Sequence, residues 1–293
     1  MSTKDWISLV ILSILWGGSF FFNEVALSGL PALSLVWARV GLAAGLVALA
    51  LLASGVRFPR GWALWGALAG MGFLNNALPF TLFALAQGQV SGAWAAILNA
   101  TSPLWGVLLA HLLTEEKITR AKALGVALGF GGVVVMMGGA RLGDFWASLA
   151  CLAAAFSYGL SAIWARRFKA FQVAPLAIAF GQLSCAALML APLWLAIDRP
   201  WALPLPSAQV LGAVLGLAAL STALAYLIFF RLLASAGPTN LLLVTFLIPV
   251  SAAALGAAFL GSQITGAQVT GFALIVAGLV AIDGRVWRWL RGV

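Results

Sequence analysis

Charge is what this chain has least of. Only 8% of its 293 residues are charged and 63% are hydrophobic, against about 25% and 45–50% in soluble domains. A fold that keeps its surface in water is thereby excluded, and the mean hydropathy of +1.09 points to an integral membrane protein. Cysteine is down to Cys151 and Cys185, both inside apolar stretches without metal-ligand spacing. They read as small buried hydrophobes, and no metal is expected. The single histidine, His111, lies near the end of an apolar stretch, and no serine at its level has a G-x-S-x-G setting. An intramembrane hydrolase would lack its base and nucleophile, so the chain is not expected to be an enzyme. There is no G-x-x-x-x-G-K-[ST] phosphate loop, which excludes ATP-driven pumping and leaves no cofactor to expect. The first apolar stretch is too long for a signal-peptide core and has no cleavage site behind it, so it is expected to stay as a helix.

What is present is ten apolar spans: Trp6 to Leu27, Ala32 to Ala53, Trp62 to Leu85, Val90 to Leu113, Ala121 to Met137, Phe145 to Trp164, Ala174 to Ile197, Gln209 to Leu233, Thr239 to Leu260 and Ala267 to Ile282. The fold class is therefore all-α and membrane-spanning. Connections are short, and no soluble domain fits between the spans. The net charge of +9 sits in short basic clusters between spans, which are topology signals rather than a nucleic-acid surface. Lys4, Arg57, Arg60, Lys117, Arg120, Lys122, Arg166, Arg167, Lys169, Arg231, Arg285, Arg288 and Arg291 fall on one side; only Arg141 and Arg199 fall on the other. Thirteen against two places both termini in the cytoplasm. Trp6, Trp62, Trp65, Trp146, Trp194, Trp287 and Trp289 lie near span ends, where indoles anchor in the headgroup layer.

The two halves repeat. Aligning Asn75 to Gly138 with Ser221 to Gly284 without a gap gives 14 identities in 64 positions, among them Pro103/Pro249, Gly125/Gly271 and Gly132/Gly278. Earlier, Trp16-Gly17-x-Ser19 echoes Tyr158-Gly159-x-Ser161. Each half, residues 1–138 and 139–293, thus carries five spans. Because five is odd, the second must enter the membrane from the opposite face, which makes an inverted repeat suited to alternating access.

The Trp16-Gly17-Gly18-Ser19 segment, Pro31 with Arg39, Pro103 followed by Glu116-x-x-Thr119, and the duplicated five-span unit resemble the EamA-type exporters of the drug/metabolite transporter superfamily. The resemblance covers nearly the whole chain. It implies a ten-helix secondary transporter of the inner membrane, similar to exporters of the YddG type, which export aromatic amino acids. The chain departs from symmetry where Glu116 meets Ser262.

Polar residues at mid-span should face the bundle interior, since they are costly in hydrocarbon. Asn76 and Phe80 share a helical face, as do their repeat partners Thr222 and Tyr226. Ser91, Ala95, Asn99, Ser102 and Gly106 make a small, polar stripe. With Trp16, Phe20, Trp94, Tyr158, Ser161 and Thr245 these supply the expected substrate-binding residues: Trp16, Phe20, Asn76, Phe80, Trp94, Asn99, Tyr158, Ser161, Thr222, Tyr226 and Thr245. No mid-span Asp, Glu or Lys pairs with another, so the cavity suits a neutral or zwitterionic solute. The amides Asn76 and Asn99 fit an amino-acid backbone; the aromatics also fit a broad drug exporter or a lipid-headgroup flippase, which stay as alternatives. Two further expectations follow. Glu24 and Arg39 sit at similar depth on consecutive helices and should form an ion pair, the alternative being that Arg39 meets a substrate carboxylate. Pro103 and Pro249 each free the carbonyl four residues earlier and should be hinges, the alternative being static kinks that make room for the cavity.

Overall fold

A computed structural model describes residues 2–137, 142–241 and 243–283. It contains ten helices: α1 (Thr3–Leu27), α2 (Ala32–Ser54), α3 (Trp62–Ala86), α4 (Gly92–Leu113), α5 (Arg120–Met137), α6 (Gly143–Phe171), α7 (Pro175–Asp198), α8 (Ala208–Gly237), α9 (Val244–Leu260) and α10 (Gly266–Ile282). The first eight are long and apolar enough to cross a membrane, and the last two are shorter apolar helices. Every expected span corresponds to one helix. Inside a bilayer only a helix or a closed barrel satisfies the backbone, and the described residues contain no strand. Helix ends follow local chemistry. Ser91 and Ser207 accept from the backbone N–H of Trp94 and Val210, and the left-handed Gly55 (φ 67°) and Gly261 (φ 65°) end α2 and α9. The boundary between halves, Arg141, Arg285, Trp287, Arg288, Trp289 and Arg291 lie outside the described residues.

Inversion of the halves is written in the glycines. A Cβ on Gly125 would lie 2.5 Å from the carbonyl oxygen of Gly278, and one on Gly132 would lie 2.5 Å from that of Gly271. Since Gly125 corresponds to Gly271 and Gly132 to Gly278, α5 and α10 pack antiparallel across a pseudo-two-fold axis, each glycine against the other's mate. The same symmetry recurs elsewhere. Gly17 of α1 abuts Ser251 of α9, and Gly159 of α6 abuts Trp105 of α4; Trp105 and Ser251 are themselves repeat partners. Small residues let backbones approach closely, and this is what binds membrane helices where lipid removes any hydrophobic drive.

The ninth span begins later than expected. The chain leaves α8 helically as far as Leu241, through a non-helical Gly237 (φ 78°, ψ 166°), and α9 starts at Val244. Gly237 and Pro238 fall in the expected connection, and the residues after them continue helically to Leu241, so the ninth helix starts at Val244 and not at the expected Thr239. Among the tryptophans, Trp6, Trp62 and Trp146 are exposed at helix ends as anchors should be. Trp194, half-buried near the end of α7, stacks its ring on Trp37 at 3.7 Å.

The α5–α10 seam generates a prediction. Gly132→Ala places a methyl group against backbone that no rotamer change can move, and should cost about 1–3 kcal/mol. Gly131→Ala meets nothing within 4 Å and should be neutral or slightly stabilising. Thermal unfolding of both variants in detergent checks the contrast.

Candidate functional site

A cavity of about 780 Å³ lies inside the bundle, walled mainly by residues of α1–α4 and α6–α9, with Lys122 of α5 and Ile282 of α10 also reaching it. At one end it opens between Glu116, Lys117 and Arg166, all exposed, where α4 and α6 finish. At the other it ends blind against the buried Asn23, Arg39 and Thr222. The lining is mostly ring and hydrocarbon: Trp16, Phe20, Phe80, Phe83, Tyr158, Tyr226, Phe229 and Phe230 surround a few polar groups.

Two local departures from α-helix place those polar groups. In α3 the segment Phe73–Ala77 is a π-turn, and in α8 so is Ala219–Leu224. Phe73 and Ala219 occupy corresponding positions in the repeat, so the distortion is duplicated. A π-turn loosens the backbone ladder, and at this depth each loosened carbonyl needs a partner. Ser157 Oγ donates to the Leu74 carbonyl at 2.7 Å, and Thr222 Oγ1 donates to the Leu217 carbonyl at 2.8 Å. The turns carry Asn75 and Asn76 in one half and Ser221 and Thr222 in the other. Asn75 Nδ2 and Asn76 Nδ2 both donate to the Tyr226 hydroxyl, at 3.2 and 3.0 Å. With both lone pairs engaged, that hydroxyl has only its proton left to offer.

Arg39 closes the ring. Its Nε donates to Thr222 Oγ1 at 3.0 Å, and its guanidinium carbon lies 3.7 Å from the centre of the Phe80 ring. Aligning Trp37 to Ala44 with Phe180 to Ala187 pairs Arg39 with Gln182, and Gln182 Oε1 accepts from Asn75 Nδ2 at 3.3 Å. Each half therefore sends one polar side chain from its second helix to the π-turn of the other. Arg39 is 6% exposed as a residue, and its guanidinium has no acidic partner within ion-pair distance among the described residues. An unpaired cation out of water costs several kcal/mol, only partly offset by the ring beneath it.

The regular α-ladder of the fourth helix has a break. Between Gly92–Asn99 and Ser102–Leu113, just before Pro103, Ala100 and Thr101 keep right-handed helical dihedrals, but the Thr101 N–H bonds to the Leu98 carbonyl three residues back, so the helix tightens without ending. Ser102 Oγ donates at 2.7 Å to the Asn99 carbonyl that the proline leaves without its helical partner. Asn99, Ser102 and Pro103 line the cavity at this break. Arg39 and Asn99 each stand seven residues into helices that start at the same end, hence both about 10 Å deep.

Sequence profiles match this architecture in both halves: that of the EamA-like transporter family covers residues 5–138 and again 145–282. The chain belongs to the EamA-like transporter family. Its relatives include an uncharacterized inner membrane transporter, YedA, of Escherichia coli K12, 27% identical over 252 residues, which are 85% of this chain and 80% of the relative. The YedA proteins of Escherichia coli O6:H1 and O157:H7 match to the same extent. A crystal structure that is 20% identical superposes over 96% of this chain and 98% of its own, with a TM-score of 0.68, and so shares the fold.

In this EamA chain Trp16, Phe20, Phe80, Asn99, Tyr158, Ser161, Thr222, Tyr226 and Thr245 all reach the cavity. Asn76 does not; it is wholly buried behind Tyr226 and positions that hydroxyl. Trp94 turns away, its indole N–H donating to Ser148 Oγ at 2.8 Å. Of the polar stripe on α4, only Asn99, Ser102 and Gly106 face the cavity, while Ala95 packs in the core. His111 Nδ1 accepts from the Ile118 backbone N–H at 3.3 Å, as a residue finishing a helix does.

The expected Glu24–Arg39 ion pair is not formed. Glu24 Oε2 instead accepts from the backbone N–H of Gly92, at 2.9 Å, at the start of α4, where the helix dipole favours an anion. Similar depth fixed the expectation, but depth says nothing about azimuth, and the two side chains face different neighbours. A double-mutant cycle of Glu24→Gln and Arg39→Gln on thermal stability should therefore be additive within about 0.5 kcal/mol. A larger coupling would restore the pair.

Proposed function

We propose that this multi-pass inner-membrane transporter exports amino acids, aromatic ones included, by alternating access. The observation that carries the reading is Arg39, a buried cation beside an aromatic-walled cavity with no acid to neutralise it. A substrate carboxylate supplies the missing charge, taking the terminal guanidinium nitrogens in a bidentate grip with the Tyr226 O–H beside them. An α-ammonium group finds an acceptor in the side-chain carbonyl of Asn99, which lines the cavity. The side chain then lies among Trp16, Phe20, Phe83 and Tyr158.

Basic loops put the open end of the cavity on the cytoplasmic side, so this conformation is ready to load from the cell. The opposite end is latched. Asp198 Oδ2, at the end of α7, accepts from both the backbone N–H and the hydroxyl of Ser34, at 2.6 and 2.7 Å. It caps α2, whose own N-cap residue, Pro31, offers no side chain. Trp194 adds an N–H to Ser34 Oγ at 3.1 Å and its stack on Trp37. The prolines support the same cycle. The helix tightens to three-residue hydrogen bonds before Pro103, whereas α9 is assigned as continuous α-helix through Pro249. Equivalent helices in different conformations are what an inverted repeat caught in one access state requires.

Proteoliposome uptake and counterflow of labelled amino acids test the assignment. Arg39→Gln, shown to be folded, should raise the apparent KM for phenylalanine by about tenfold or more, the loss of one charged hydrogen bond. Unchanged uptake would remove Arg39 from the site. Asp198→Asn combined with Trp194→Ala should increase labelling of a cysteine placed near Arg39 from the side opposite the basic loops. Labelling no higher than in the parent would mean that these residues are not the gate.

A further inference from the structure

We infer that the protein carries a second binding site, for the phosphate headgroup of an anionic phospholipid, in a groove separate from the transport cavity. The groove, about 630 Å³, is formed by Val56 to Leu64 on the α2–α3 connection and Phe171 to Ala174 on the α6–α7 connection. Four helix ends meet there: α2 finishes at Ser54, α3 starts at Trp62, α6 finishes at Phe171 and α7 starts at Pro175. That level of a membrane protein lies in the headgroup layer, and Trp62, 94% exposed at the rim, is the kind of residue that resides in it.

Two cations, Arg57 and Arg60, line the groove, and no acidic residue does. The ion pair among the described residues is elsewhere, between Arg166 and Glu116, and neither Arg57 nor Arg60 donates a hydrogen bond to a described side chain or carbonyl. Paired guanidinium groups match a phosphodiester in charge and geometry. The groove has a firm wall: Phe58 packs edge-on against Phe180 at 5.0 Å, and Trp65 against the same ring at 6.5 Å. The last two turns of α2 expose Leu49 and Leu52, an apolar track along which acyl chains can lie below the groove that begins at Val56, and this favours a lipid over a soluble anion. A lipid seated there would tie a connection of the first half to the junction of the first two helices of the second.

The purified full chain in detergent, mixed with phosphatidylglycerol or phosphatidylcholine and read by native mass spectrometry, tests this. Phosphatidylglycerol should be retained at least about fivefold better than phosphatidylcholine, and Arg57→Gln/Arg60→Gln should reduce its retention by about fivefold or more. Arg120→Gln/Arg231→Gln, which removes two cations outside the groove, should leave retention unchanged. Equal retention of the two lipids, or equal loss in both double variants, would overturn the site. Displacement of phosphatidylglycerol by millimolar inorganic phosphate would make it a soluble-anion site and overturn the lipid assignment. The lipid comparison and the phosphate competition need only the parent protein, so they decide even if the groove variant fails to fold.

Discussion

No water is available at mid-membrane to satisfy a backbone group, and this constraint organises the protein. Helices follow from it directly. So does the way the helices are allowed to fail. Each departure from regular geometry, at the π-turns of α3 and α8 and at the break in α4, comes with a hydroxyl that answers the exposed carbonyl: Ser157, Thr222 and Ser102. The polar residues of the cavity are in this sense by-products of backbone repair as much as ligand contacts, and the two roles coincide because an irregular backbone survives only where it lines a cavity or is buried in protein.

The scaffold was legible in the sequence, and the site was only half so. Ten spans, the repeat and the inversion follow from hydropathy, from an odd number of helices per half and from paired Pro and Gly residues. Asn99, Tyr158, Thr222 and Tyr226 could be assigned to the interior because a polar atom in hydrocarbon has nowhere else to go. What pattern could not supply was direction around the helix axis. Asn76 and Trp94 were misassigned to the wall, since one lies behind Tyr226 and the other bonds to Ser148. Glu24 and Arg39 were matched by depth alone. A signal for the π-turns was present: two adjacent polar residues, Asn75-Asn76 and Ser221-Thr222, at matching places in two apolar spans. Asn23 and Gln87 carried less. They form a buried amide chain at the blind end, Asn23 donating to Gln87 and Gln87 to the Phe20 carbonyl, and their positions 64 residues apart gave no hint of it.

Symmetry and its violation divide the labour in this molecule. The π-turns, the Arg39–Thr222 and Gln182–Asn75 contacts and the glycine seam obey the pseudo-two-fold axis. Charge, the break before Pro103 and the Asp198 latch do not. The obeyed features build a frame that is the same seen from either membrane face. The violated ones distinguish the faces, which a transporter needs if it is to bind from one side and release to the other.

The glycine seam between α5 and α10 limits the motion that can do this. Its two contact points, at Gly125–Gly278 and Gly132–Gly271, are seven residues apart along each helix, about 10 Å. Sliding one helix along the other by a turn would drive side chains into both notches at once, so translation is blocked in either direction. Side chains beside the notches, Ile282 at Gly125, Leu274 and Ile275 at Gly132 and Met136 at Gly271, close the seam further, so the pair fixes the register of one half against the other.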